Sequence, residues 1–377
     1  MTPAEPAPAE SDTPDAPTPD PGPTAGEVLV HSLAVLAPVI LPALECAGAR
    51  RIVEVGVEGG GMTAVLRDYA ARVDGTVTGI DPFPSPAAAA AYAADARLTL
   101  VAAHSPAALA GLDPADAYLL DGDHNHWTVL GELRAVAAAA GGGHPLVFVH
   151  DLGWPAGRRD QYYDPTALPA EVVRPYTYTQ GVRIGSTTTV DGGFRGEGAF
   201  AWAIEEGGPA NGVRTAVEDF VAEHPRYRLT FVPSVFGLGV VSTVDAPFAP
   251  ALDAHLRPWA DNPVFAAVER NRLELYDRVL LLQDLLAVAG DAGPRLRGEN
   301  ARLRARVADL EGRLDVIRGE VEAMGFLKAL RAVDAVERPA RRMRPGTTLR
   351  TRLAGVGTTA TLPVPEPAAA APGGDGA

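Results

Sequence analysis

The chain has 377 residues, 47% of them apolar and 21% charged, and its 33 basic against 47 acidic side chains give a formal net charge of -14. That length suits one large domain with appendages, and the acidic excess argues against nucleic acid as a partner, because coating a polyanion takes surplus Lys and Arg. The lone Cys46 excludes an internal disulfide framework and a zinc site built on several thiolates, so a reducing, cytoplasmic setting is the default.

Residues 1–25 are Pro-, Ala- and acid-rich with no apolar run, which predicts a disordered tail and no secretory signal. Val28 to Leu44 is apolar but broken by His31, Ser32, Pro38 and Pro42. It is too short and too interrupted to span a membrane, and an amphipathic helix packed on the next domain is expected there. From Arg51 short apolar runs alternate with helical stretches, the pattern of a parallel sheet flanked by helices. The expected strands are Ile52–Val57, Val77–Ile80, Leu98–Val101, Ala117–Leu120 and Leu146–Val149. Helices are expected over Met62–Val73, Pro86–Asp95 and Thr128–Ala140.

A Gly-, Pro- and Tyr-rich region from Leu152 to Gly198 interrupts this rhythm. A helix over Gly212–Glu223 then leads into two strands, Tyr227–Val232 and Phe236–Val241, expected to close the sheet as a hairpin. The expected fold class is therefore α/β, a doubly wound, mostly parallel seven-stranded sheet, with its domain over 26–245. A connecting helical segment follows over 246–294. In 295–337, Leu296, Leu303, Leu310, Ile317 and Met324 recur every seven residues, each followed by four to Asn300, Val307, Leu314, Val321 and Lys328. That is a coiled-coil seam, and Asn300 at an a-type position favours two parallel strands, hence a homo-oligomer. Glu299 with Arg304 and Arg306 with Glu311 would attract across such a dimer, whereas Arg313 with Arg318 would repel. Residues 338–377 are read as an exposed Arg-rich tail followed by low-complexity sequence.

The chemistry begins at Val53-Glu54-Val55-Gly56-Val57-Glu58-Gly59-Gly60-Gly61, a strand running into a glycine turn and then a helix. Glycines serve where backbone leaves a sheet sharply and approaches a ligand. Asp81, twenty residues after Gly61, ends the second strand, where a carboxylate can accept from ribose hydroxyls. Together they predict an adenosine-type ligand at the carboxyl ends of the strands. Gly59 to Ala64 also fits G-x-G-x-x-A, a dinucleotide fingerprint, which keeps an NAD(P)-dependent oxidoreductase as the alternative. Glu54, inside the first strand, suits a cationic or amino-acid-bearing ligand better than a pyrophosphate.

This arrangement resembles the class I S-adenosylmethionine-dependent methyltransferases, whose first motif reads acidic-x-Gly-x-Gly-x-Gly. Glu54, Gly56 and Gly60 match, and Glu58 stands where the family has its middle glycine. The resemblance implies that Glu54, Gly56, Glu58, Gly60 and Asp81, with Asp121, bind the donor.

A second signal is Asp121-Gly122-Asp123-His124-Asn125-His126-Trp127, followed by His150-Asp151 after the fifth expected strand. Oxygen-rich clusters with imidazoles on adjacent strand ends suit a divalent cation or acid–base chemistry. The pair looks like the metal-assisted branch of the family, the macrocin-type sugar O-methyltransferases and cephalosporin-hydroxylase-like proteins. By that resemblance Asp121, His150 and Asp151 are metal ligands, with Asp123 or His124 as general base. The resemblance implies magnesium, but His150 departs from a two-carboxylate pair, and manganese or iron would tolerate its imidazole better. A third run, Trp154 to Pro165, supplies Trp154, Arg158, Arg159 and Tyr162 as candidate contacts to a small-molecule or glycan acceptor. A non-catalytic scaffold that binds the donor while the coiled coil assembles partners is a third reading.

Overall fold

A computed structural model of the chain describes residues 29–323. The expected tails over 1–25 and 338–377, and the heptad positions Met324 and Lys328, lie outside the described residues. The chain divides into two compact units, one ending at Val288 and one starting at Ala289.

In the first unit a short 3-10 turn, Leu33–Leu36, leads into α1, Ala37–Ala47. Pro38 sits in its first turn, where the missing N–H costs nothing, so the regular helix begins later than the apolar run that announced it. Five parallel strands follow: β1 Arg51–Val55, β2 Thr76–Ile80, β3 Leu98–Val101, β4 Ala117–Leu120 and β5 Leu146–Val149. They alternate with α2 Gly61–Val73, α3 Pro86–Ala93, α4 Ser105–Ala110 and α5 His126–Ala140. An insertion carries three short strands, β6 Gln161–Tyr162, β7 Tyr176–Thr177 and β8 Ala201–Ala203. Helix α6, Val213–Glu223, returns to the main sheet, closed by β9 Tyr227–Val232 and β10 Leu238–Thr243. Two further helices are α7 Ala249–Leu256 and α8 Pro263–Ala323.

The main sheet has the order β3-β2-β1-β4-β5-β10-β9, with β10 antiparallel to β5 and to β9 and every other pair parallel. The expected closing hairpin is present, and the seven-stranded, mostly parallel sheet with helices on both faces is the Rossmann-like methyltransferase architecture. One core, including Ile40, Leu44, Ile52, Leu66 and Leu119, lies under α1, α2 and α7. The other, including Val53, Val55, Leu133, Val147 and Phe220, lies under α5 and α6. Strands β4 and β5 are buried at every residue, as a sheet covered on both faces requires. The order reverses between β1 and β4, and a ligand is expected outside the carboxyl ends of the strands at that switch point.

The insertion forms a separate sheet of order β6-β8-β7 around Trp202, Phe194 and Phe200. Within the first unit α8 is fixed to it by Arg183, which pairs with Asp277 at 3.3 Å and Asp284 at 3.0 Å. In the second unit the described part of α8 is helical and presents the expected heptad residues Leu296, Leu303, Leu310, Leu314 and Ile317 to solvent. Among the described residues no helix is long and apolar enough to cross a membrane.

Candidate active site

Gly56 directly follows β1 and has φ 82°, the left-handed region that favours glycine. A Cβ there would overlap the Asp121 carbonyl oxygen, so the β1 and β4 ends can approach only because this residue is glycine. Glu58 also has positive φ, 45°, in the place where the resemblance expects glycine. The turn is held by Asp81, whose Oδ2 accepts from the Val57 and Glu58 amides at 3.0 and 3.1 Å and whose Oδ1 accepts from the Phe83 amide at 2.8 Å. Gly60, φ 78°, is the N-cap of α2.

These ends open into a cavity of about 460 Å³. Gly56, Glu58, Asp81, Asp121 and Asp123 line it, joined by Phe83, His104, Ser105, Trp127 and Tyr163, and among the described residues no Lys or Arg does. Glu54 is not at the wall. Its side chain is buried beneath α2 and α3, where Thr63 Oγ1 and Tyr92 Oη donate to Oε2 at 2.6 and 2.9 Å. Its cross-strand neighbour is Gly79, where a Cβ would overlap the Tyr92 hydroxyl, so Gly79 makes the room through which Tyr92 reaches the carboxylate. Burial, outweighing those two donors, pushes Glu54 up to about 7.

Asp121 belongs both to the cavity wall and to a deeper cluster. Asp121, His150 and Asp151 each bring one ligand-type atom within 4.8 Å of the others. His150, 3% exposed, donates from Nε2 to the Val235 carbonyl at 2.8 Å, which leaves Nδ1 facing Asp121 Oδ1 at 3.0 Å. A carbonyl can only accept, so the Nε2 proton is fixed and Nδ1 either carries a second proton or shares a cation with the carboxylate. His124 Nε2 lies 3.2 Å from Asp121 and 3.1 Å from Asp151, while its buried Nδ1 has no hydrogen-bond partner among the described residues. Burial works against charge on both rings, but Asp151 and Asp121 raise His124 to about 9, and Asp121 and Asp151 raise His150 to about 10. Asp121 is also buried, yet His150 and His124 hold it below the usual carboxylate range. Two carboxylates with an imidazole whose outward nitrogen is anchored on a backbone carbonyl are a donor set that fits a divalent cation. Asp151 has φ 61°, a strained backbone at the strand end that turns it into this cluster.

Asp123 accepts from Asn125 Nδ2 at 2.5 Å and from the Tyr163 amide at 3.2 Å, and burial raises its pKa. Behind Ser105, Glu132 is fully buried, accepts from the Ser105 hydroxyl, and is raised by burial to about 8.

The four proposed acceptor contacts are not brought to this cavity. Arg158 turns to α6, reaching Thr215 and Glu218. Arg159, 1% exposed, donates to the carbonyls of Ala203, Ile204 and Ser186. Tyr162 is buried with its hydroxyl donated to Asp160 Oδ2 at 2.9 Å. Trp154 packs near Phe194 and lines a separate apolar slot with Phe236 and Leu273. The aromatic wall is instead Tyr163, Trp127 and Phe83, of which Trp127 and Tyr163 stood in runs the sequence singled out for site chemistry, although Tyr163 was not the residue chosen from its run, and Phe83 stood in none. Tyr163 follows Tyr162, and consecutive residues leaving a strand face opposite ways.

Residues 53–152, which hold β1 to β5 and both chemical clusters, match the family described as a methyltransferase domain. The chain carries a methyltransferase domain. That match bears out the expectation of a methyltransferase enzyme. No curated protein matches the chain. Among solved structures it is similar to a Klebsiella pneumoniae protein described as an O-methyltransferase, with 19% identity over 58% of this chain and 84% of that one, at a TM-score of 0.34. It is similar also to an O-methyltransferase from Bacillus cereus in complex with S-adenosylhomocysteine (15% identity, 58% and 86% covered, TM-score 0.34). A third is the S-adenosylhomocysteine-bound methyltransferase PaMTH1 of Podospora anserina (15%, 54% and 76%, 0.33). Likenesses of that strength carry no weight for function, and the fold rests on the strand order itself.

Proposed function

We propose that the chain is an S-adenosylmethionine-dependent O-methyltransferase acting on a hydroxyl of a sugar, glycan or natural-product acceptor, with a divalent metal beside the donor. The observation that carries the reading is the Asp121–His150–Asp151 cluster sharing Asp121 with the wall of the switch-point cavity. Asp81 and the Gly56–Gly60 turn would hold the ribose and methionine side. Glu54 supports that turn from beneath, since Thr63, one of its partners, is in the first turn of α2. Tyr163 and Trp127 would flank the acceptor.

In the reaction the acceptor oxygen forms a bond to the methyl carbon, the carbon–sulfur bond breaks, and its electron pair returns to sulfur, leaving S-adenosylhomocysteine. A cation held by Asp121, His150 and Asp151 would lower the pKa of the acceptor hydroxyl and fix its direction. Asp123 lines the cavity and is the group we assign to take the hydroxyl proton, with its carboxylate oriented by Asn125 and the Tyr163 amide. Much of the remaining acceleration comes from position alone.

The same reading makes 26–245 the catalytic domain, 246–294 a connection and 295–337 a two-stranded coiled coil that dimerises the enzyme. Asp121→Ala tests the site: turnover disappears while S-adenosylmethionine affinity stays within about tenfold, about 1.4 kcal/mol. Retained turnover sinks the metal-site assignment. Thermal shifts test the donor, because a ligand at 100 times its dissociation constant adds about 2.7 kcal/mol of stability. Stabilisation by NAD and not by S-adenosylmethionine would overturn the methyltransferase reading.

A further inference from the structure

Helix α8 carries two different faces before it leaves the first unit. Leu273 and Tyr276 are buried there in a small core with Phe236 and Leu29, and Leu280 packs against it. On the same side Asp277 and Asp284 bind Arg183, and Asp284 accepts in addition from the Gly193 amide at 3.0 Å and from Arg195 at 3.1 Å. About a third of the way round the helix, at 3.6 residues per turn, lies a second row: Leu275, Val279, Leu282 and Leu286, which are 60%, 39%, 53% and 71% exposed. An ordinary surface helix has one apolar stripe and buries it. This one has spent its first stripe on its own domain and keeps four large aliphatic side chains in water.

The row has the spacing of a coiled-coil seam, and its phase is the one found downstream. Leu275 and Leu282 precede Leu296, Leu303 and Leu310 by whole multiples of seven, and Val279 and Leu286 stand in the same relation to Asn300, Val307 and Leu314. Leu275 and Leu282 therefore fall at d positions and Val279 and Leu286 at a positions. Upstream the pattern stops for a visible reason. The preceding a position is Arg272, whose guanidinium is engaged by Glu269 at 2.6 Å and donates to the Val30 carbonyl at 2.8 Å.

We propose that the dimer seam begins at Leu275, on the catalytic unit itself, and that its occupant is the same row of a second copy of this chain. A self-complementary heptad row in one phase needs a parallel partner of identical phase, and two of the three charge pairs further along attract across such a dimer, Glu299 with Arg304 and Arg306 with Glu311, against one that repels, Arg313 with Arg318. This rests on the two-stranded reading of residues 295–337 above. The consequence is that two catalytic units are held side by side by the helix segment that Arg183 and Arg195 clamp, rather than tethered only through the residues after Pro294.

The test uses the full chain with Cys46→Ala and one new cysteine at a time: Leu282→Cys in the proposed seam, Leu303→Cys in the downstream seam, and Ala305→Cys on the outer face as control. Under mild oxidation L282C and L303C form disulfide-linked dimers at least about tenfold faster than A305C. If L303C cross-links and L282C is no faster than A305C, the extension to the catalytic unit is wrong and the downstream dimer stands. If neither cross-links and light scattering gives the monomer mass, both fail. As a second measurement, Leu282→Glu with Leu286→Glu weakens dimerisation at least about tenfold by light scattering on dilution while leaving the thermal midpoint of the monomer in place; an unchanged dimer overturns the proposal.

Discussion

Glu54 is a carboxylic acid inside a central strand, and its neutrality can be measured through stability. In the fold burial raises it from 4.5 to about 7, against the opposing hydrogen bonds from Thr63 and Tyr92. A raised folded pKa means that the folded chain binds this proton more tightly than the unfolded chain. The stabilisation is fully present below pH 4.5 and is lost as pH rises through about 7. At about 1.4 kcal/mol per pH unit the full span is about 3 kcal/mol. Glu54→Gln keeps the shape and stays neutral. Urea unfolding of the two proteins should give stabilities within about 1 kcal/mol at pH 5, where the amide loses little. At pH 8.5 the variant should be ahead by about 2–3 kcal/mol, about 5–10 °C in midpoint for a unit of this size. A difference that does not change with pH would refute the burial argument, and wild type gaining on the variant with rising pH would show that the two hydroxyl donors outweigh burial.

Gly56→Ala combines a left-handed backbone, about 1–2 kcal/mol for a residue with a Cβ, with overlap on the Asp121 carbonyl. It should lose at least about 2 kcal/mol by thermal unfolding and most of its donor affinity by calorimetry, and an unchanged midpoint would mean that the β1 and β4 ends sit further apart. Arg159→Ala leaves three carbonyls and Glu206 without their buried cation, so about 3–5 kcal/mol of stability goes. Arg158→Ala, on the α6 side, should leave the acceptor KM unchanged, and a KM rise of tenfold or more would place Arg158 at the acceptor after all.

The parallel strands were legible because each is a short apolar run between turn signals, and five of them begin and end within two residues of where the sequence puts them. Both chemical clusters were legible for the same reason, since residues at the carboxyl ends of adjacent strands meet by topology. Less visible was anything decided by side-chain direction. Glu54 looks like a ligand residue in the motif, but alternation places it on the α2 face of β1 with Ile52. Tyr162 and Tyr163 differ by one step of alternation, and only contact with Asp160 tells which is inside. Arg159 reads as a free cation until the carbonyls of β8 close around it. Helix α4 has six residues, too few for a periodic signal.

The acidic balance of the chain takes on a sharper form at the cavity, whose wall includes Glu58, Asp81, Asp121, Asp123 and Asp164 and, among the described residues, no Lys or Arg. A pyrophosphate would meet these carboxylates without a counter-ion, whereas a sulfonium is attracted by them. Two unit charges 4 Å apart interact by about 1 kcal/mol in water and more at a half-buried site. S-adenosylmethionine and S-adenosylhomocysteine share adenine, ribose and amino acid and differ in that one charge. The donor should therefore bind at least about fivefold more tightly than the product in metal-free protein, with the gap narrowing at 1 M salt, where screening acts within about 3 Å. Calorimetric titrations of both ligands at low and high salt measure it. Equal affinities, or a gap that survives high salt unchanged, would mean that the carboxylates are arranged for something other than the positive charge of the donor.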